Sequence, residues 1–178
     1  MPGTVYNIPP IPPDPEHTIY VDAGNLRIGV EHRILDDAEL SANYEGAEMD
    51  EIQAAVDGQK VEDNGVSLHV LGRDDGHEYL RFDMFEREPH YHYINRSGES
   101  QRIIDYDRVA MGEMLPWALH QLRTRLHEML DHAGGHSLID KLEPNMIDVA
   151  LREVETLAIA AAADLALATS HGAPRDTR

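Results

Sequence analysis

The chain has no cysteine. That removes disulfide staples, thiolate metal ligands and cysteine nucleophiles together. Its longest apolar run, Leu157 to Ala163, falls far short of the roughly 20 residues a membrane span requires. Basic residues are scarce: 15 lysines and arginines stand against 33 acidic side chains, for a formal net charge of −18. Such a surface repels phosphate backbones and anionic head groups, so nucleic acid and membrane are poor partners. Also missing are a Gly-rich phosphate loop, a Gly-x-Ser-x-Gly elbow and a His-Glu-x-x-His helix. No nucleotide cofactor is therefore expected, nor serine hydrolysis by familiar routes. The opening Met1-Pro2-Gly3-Thr4 has neither a basic nor an apolar leader character. With no thiol framework either, the expected compartment is the cytoplasm.

What is present fits a globular domain. Hydrophobic residues make up 42% and charged residues 27% of 178 positions, enough to bury a core in one domain. Residues 8–15 place five prolines in eight positions, which predicts an extended polyproline arm. The expected organisation is an arm over 1–16, a single domain over 17–169 and a flexible tail over 170–178. The arm reads either as a loose leader or as a strap lying on a neighbouring subunit.

Within the domain, Thr18 to Val21 and the alternating Leu26, Ile28 and Val30 flank a Gly24-Asn25 turn, a hairpin signal. Val66, Leu68 and Val70, then Leu80, Phe82 and Met84, repeat the pattern around Gly72 to Gly76. His90 to Ile94 and Arg102 to Tyr106 add further strands. Residues 36–59 support one or two short helices, with Asp50 as a cap for the second. Leu115, Leu119, Leu122 and Leu126 recur at helical spacing, as do Ile147, Leu151, Val154 and Leu157. The expected class is α+β: an antiparallel sheet of five or six short strands over residues 17–106, packed with two C-terminal helices, 112–132 and 144–169. The second half of the last helix is apolar nearly all round, which demands cover on more than one side.

The feature most suggestive of chemistry is His90-x-His92. Two residues apart on a strand point to one face, with Cα atoms about 6.5–7 Å apart. Two imidazoles there can converge on one divalent ion, and Glu88 extends the row if the strand continues through Pro89. Neutral imidazole with carboxylate suits zinc, iron, manganese or nickel. His69 is a further ligand candidate, with His32 behind it. With 11 histidines in the chain, however, one such pair is close to what composition alone yields. Trp117 and His120 share a helical stripe that reads as a pocket wall. Asp105 and Tyr106 close the last strand, where a carboxylate beside an aromatic can serve as a general base.

Two functional readings follow. One is a small metal-dependent enzyme or metal-assisted binding protein for a small organic molecule, with His90, His92, His69 and Glu88 as ligands. Asp105 and His120 would act in catalysis, and Tyr106 and Trp117 would line the pocket. The other is a non-catalytic homo-oligomer or accessory subunit, using the proline arm and the Ala-rich last helix for protein contacts.

Overall fold

Alternation of apolar and polar residues over several neighbouring segments requires a sheet with two unlike faces. The computed structural model, which describes residues 3–171 with side chains as far as Leu167, shows how both are covered. The strands are β1 (Thr4–Tyr6), β2 (Thr18–Ala23), β3 (Leu26–Asp36), β4 (Glu62–Gly72), β5 (Glu78–Phe85), β6 (His90–Ile94) and β7 (Gln101–Asp105). They form one antiparallel sheet in the order β1-β7-β6-β5-β4-β3-β2. Helices α1 (Asp37–Asn43) and α2 (Gly46–Ala55) connect β3 to β4. After β7 come α3 (Arg108–Met111), α4 (Met114–Thr124), α5 (Leu126–His132), α6 (His136–Ile139) and the long α7 (Pro144–His171). No helix among the described residues is long and apolar enough to cross a membrane.

The α+β class agrees with the sequence pattern, while the counts are corrected. Among the described residues there are seven strands, because Thr4–Tyr6, inside the segment read as an arm, pairs with β7. The expected 112–132 helix is divided at Arg125, whose backbone leaves the helical region at φ −128°. There the Thr124 hydroxyl donates back to the His120 carbonyl at 2.8 Å, a local bond that competes with the helical ladder. Asp50 lies inside α2, which begins after Glu45. The side-chain cap is instead at α1, where the Asp36 carboxylate accepts from Glu39 N–H at 2.8 Å. The end of the chain from residue 172 lies outside the described residues.

One face of the sheet is apolar. Ile28 and Val30, Leu68 and Val70, and Leu80 and Phe82 meet Leu119, Leu122 and Leu130 of α4 and α5 and Leu151 and Val154 of α7 in the main core. The other face carries Glu31, Arg33, Ser67, His69, Arg81, Asp83, His92 and Gln101, all buried. The arm covers it, with neither helix nor strand over residues 7–14 and with Ile8 and Ile11 packed against Tyr44 and Ile52 of the α1–α2 segment. The arm therefore lies on its own sheet. Gly29, in the middle of β3, makes room on this face: a Cβ there would lie 2.9 Å from Thr18, 3.0 Å from the Tyr20 ring and 3.3 Å from His69.

Candidate metal centre

Strand register, more than local sequence, assembles the polar face. Antiparallel pairing aligns Ser67 with Asp83, Asp83 with His90, and His90 with Asp105, in one row across β4 to β7. The neighbouring row sets His69 beside Arg81 and Arg81 beside His92. Cross-strand neighbours on one face approach within about 4.5–5.5 Å at Cβ, so long polar side chains in these rows must meet.

Asp83, His90 and His92 meet most closely, with one donor atom from each lying within 4.8 Å of the others. His92 Nε2 is 2.8 Å and His90 Nε2 3.3 Å from the same oxygen, Asp83 Oδ2. The far side of every group is already engaged. The Ser67 hydroxyl donates to Asp83 Oδ1. His90 Nδ1 donates to the Glu88 carbonyl at 2.6 Å, and His92 Nδ1 to Gln101 Oε1 at 2.7 Å. Amide oxygens only accept, so both rings carry their Nδ1 proton outward and turn Nε2 toward the carboxylate. That is the tautomer and orientation in which second-sphere acceptors hold metal-ligating histidines.

The alternative occupant of this space is a proton. Burial alone would hinder charging of His90, but the hydrogen bond to Asp83, the Asp83 charge and the Glu88 carbonyl together outweigh it and raise its pKa. His92 goes the other way: burial lowers its pKa, and the charge of His90 adds to the effect. Burial opposes ionisation of Asp83, yet the two imidazoles hold it well below the carboxylate range. A proton on His90 Nε2 satisfies that ring's contact with Asp83. A neutral His92 with its proton on Nδ1 has its Nε2 lone pair 2.8 Å from a carboxylate oxygen. Two acceptors in that contact repel, and a cation between them relieves the repulsion. Tetrahedral metal–ligand bonds of about 2.0–2.2 Å place neighbouring ligand atoms about 3.3–3.6 Å apart; the 3.3 Å between His90 Nε2 and Asp83 Oδ2 meets this range, and the 2.8 Å at His92 Nε2 would widen to reach it. Asp83, His90 and His92 therefore form a group able to hold a metal ion.

The group opens on a cleft of about 980 Å³ between the sheet, the arm and the α1–α2 segment. His90 is partly exposed there, with 15% of its side chain accessible, whereas Asp83 is at 4%. The cleft wall includes Asp105, Glu88, Tyr6, Tyr44 and Arg87. A second cavity of about 550 Å³ lies between α4–α5 and the start of α7 and holds His127 and Asp148 beside Leu122 and Ile147. It contains none of the three clustered groups.

The residues singled out from sequence fall in different places. His90 and His92 converge. Glu88 contributes its carbonyl to His90, and its exposed side chain borders the cleft; the bend before β6 takes it out of the strand row. His69 belongs to a separate cluster. Its Nδ1 is 2.6 Å from Glu78 and its Nε2 2.7 Å from Glu31, with no exposed surface. Burial disfavours its charge, but those two carboxylates prevail and raise its pKa. With both nitrogens donating it is an imidazolium, and an imidazolium cannot ligate. Asp105 is exposed on the cleft and faces His90 across the strand pair. Tyr106 donates its hydroxyl to the Gly112 carbonyl at 3.1 Å and packs at a tilt against Trp117, with ring centroids 5.0 Å apart. Trp117 packs against Phe82 and Tyr91 on the helix-covered face, so it does not wall the cleft. His120 is exposed on α4, away from the three ligand candidates.

Sequence reasoning missed Asp83, Ser67 and Gln101. The signal for Asp83 was present: burying Leu80, Phe82 and Met84 on one face sends Arg81 and Asp83 to the other. Their alignment with His90 needed the register as well.

The fold and site thus define an α+β protein whose sheet carries a His-His-Asp group on its arm-covered face. The chain belongs to a family described as a domain of unknown function, DUF7700, whose model matches residues 20–158. No curated protein and no solved structure matches it.

Proposed function

We propose that this is a small metal-dependent enzyme, or metal-assisted binding protein, acting on a small organic molecule in the cleft beside Asp83, His90 and His92. The observation that carries the reading is the convergence of two Nε2 atoms on one carboxylate oxygen while both Nδ1 atoms donate to amide carbonyls. Two histidines and one carboxylate make a three-ligand set, which in zinc and non-haem iron sites leaves positions open for substrate or water. Zinc, iron, manganese and nickel all suit these donors. A bound divalent ion would supply Lewis-acid polarisation or an activated water.

The protein's own residues supply the rest. Ser67 occupies the second oxygen of Asp83, which favours ligation through a single oxygen. Asp105, exposed and directly across from His90, is the proton acceptor of the cleft. Phe85 packs edge-on against His90 at 5.5 Å and limits the swing of its ring. Arg87 borders the same cleft and offers a guanidinium to an anionic substituent of the ligand.

The test is metal content by plasma mass spectrometry, comparing tag-free wild type with Asp83→Asn and His92→Ala. Near-stoichiometric metal in the wild type and little in either variant is the expected result. An empty wild type that also fails to take up zinc, iron, manganese or nickel on reconstitution overturns the proposal.

A further inference from the structure

We infer that Gln101 is a positioning residue for the metal group, and that the proline-rich arm sets which end of its amide faces His92. The inference rests on the function proposed above and adds a component to that site.

The arm is tied to the domain through successive backbone carbonyls. Pro9 O accepts the Tyr44 hydroxyl at 2.7 Å. Ile11 O accepts from Arg81 at 2.7 Å and Arg33 at 3.3 Å. Between these anchors and β1, Ile8 is buried to 4% exposure and directs its carbonyl to Gln101 Nε2 at 3.5 Å. An amide has one accepting end and one donating end. Because the Ile8 carbonyl can only accept, it takes the NH2 end. Oε1 is thereby left to receive His92 Nδ1 at 2.7 Å.

The consequence passes through the ring. With Nδ1–H committed to Gln101, His92 presents an unprotonated Nε2 to the cation position. If the amide were reversed, its NH2 group would face Nδ1, and the proton would move to Nε2, where it excludes a metal. Ile8 O, Gln101 and His92 thus form a chain from the arm to the ligand. Gln101 is 5% exposed and touches neither the cleft's Asp105 nor the Asp83 carboxylate through any hydrogen bond among the described residues, so its influence runs through His92.

Gln101→Leu keeps the volume and removes the acceptor; Gln101→Glu keeps an acceptor at the same reach. Titration of chelator-stripped full-length protein with cobalt(II), followed by visible absorption, separates the outcomes. The Leu variant should bind about 10- to 100-fold more weakly, the usual effect of losing an outer-sphere partner, with an altered band shape. The Glu variant should recover binding to within a few-fold of wild type. Thermal melting of the metal-free proteins identifies any general loss of fold.

Wild-type-like binding by Gln101→Leu, while His92→Ala binds none, overturns the role of Gln101 and leaves the site standing. Equal losses in the Leu and Glu variants, with unchanged melting, also overturn it, because retention of an acceptor would then be irrelevant. Failure of wild type and His92→Ala alike to bind cobalt removes the metal site, and this inference with it.

Discussion

Two faces of one sheet are closed to water by opposite means. Under the helices, Leu68, Leu80, Phe82, Leu119, Leu130 and Leu151 are all at most 1% exposed and are held by hydrophobic burial and dispersion, which are nondirectional. Under the arm, Glu31, Arg33, His69, Glu78, Arg81 and Asp83 are likewise buried, but each is held by named partners. Arg81 donates to Glu78 at 2.9 and 2.6 Å, and Arg33 to Glu31 at 3.0 Å. Buried ion pairs seldom improve on well-packed apolar residues of similar volume. The apolar face therefore supplies most of the stability. The polar face spends some of it to hold particular atoms in particular places, and there the metal group lies.

The contrast can be broken by mutation. The largest effect is expected on the apolar face: Phe82→Ala should lose about 3–5 kcal/mol in chemical denaturation, and a loss below about 1 kcal/mol would show that this face is not the main source of stability. On the polar face, Arg81→Met should cost nearly as much, up to about 3–5 kcal/mol, because Glu78 loses its guanidinium and keeps only His69, and the Ile11 carbonyl keeps only Arg33. Removing the charge as a set, with Arg81→Met, Glu78→Leu and His69→Leu together, should recover much of that loss. If it recovers none, the network contributes stability directly and the distinction between the faces fails.

A smaller effect separates the metal group from the rest of that face. At a free zinc concentration 100 times the Kd, unfolding free energy should rise by about 2.7 kcal/mol. Asp83→Asn should show no such rise; an undiminished rise would place zinc elsewhere.

The His69 cluster, by contrast, should respond to protons. The pKa of His69 is raised above 6.5, since Glu78 and Glu31 outweigh its burial. Its stabilisation is complete below pH 6.5 and lost as pH rises through the folded value. Glu78 is depressed below 4.5, since Arg81 and His69 outweigh its burial; its stabilisation is present above 4.5 and lost as pH falls. The network is thus strongest between these limits. The stability gap between wild type and His69→Gln, both chelated, should narrow on the alkaline side, and a gap that widens there would contradict an imidazolium at His69. Least of all, His120→Ala, on the exposed side of α4, should change stability by no more than about 0.5 kcal/mol and leave metal content unaltered.

The parity of apolar residues made β3, β4 and β5 legible, because burial on one face imposes a period of two whatever the neighbours are. Helical spacing exposed α4 and α7 in the same way. The division at Arg125 was not legible, since it turns on one hydroxyl bonding back to the preceding turn. Nor was β1: Thr4–Tyr6 is too short to show a period and exists only because β7 offers an open edge.

For the site, sequence alone determined that His90 and His92 share a face, a consequence of strand geometry over two residues. It also determined that Arg81 and Asp83 lie opposite Phe82. Strand order and register decided the rest. They set Asp83 beside His90, moved His69 into a cluster with Glu31 and Glu78, and turned Trp117 to the far side of the sheet. They also brought Ile8 within reach of Gln101, 93 positions away. These are contacts between distant segments, fixed by the pairing of whole strands, and no local pattern of residues encodes them.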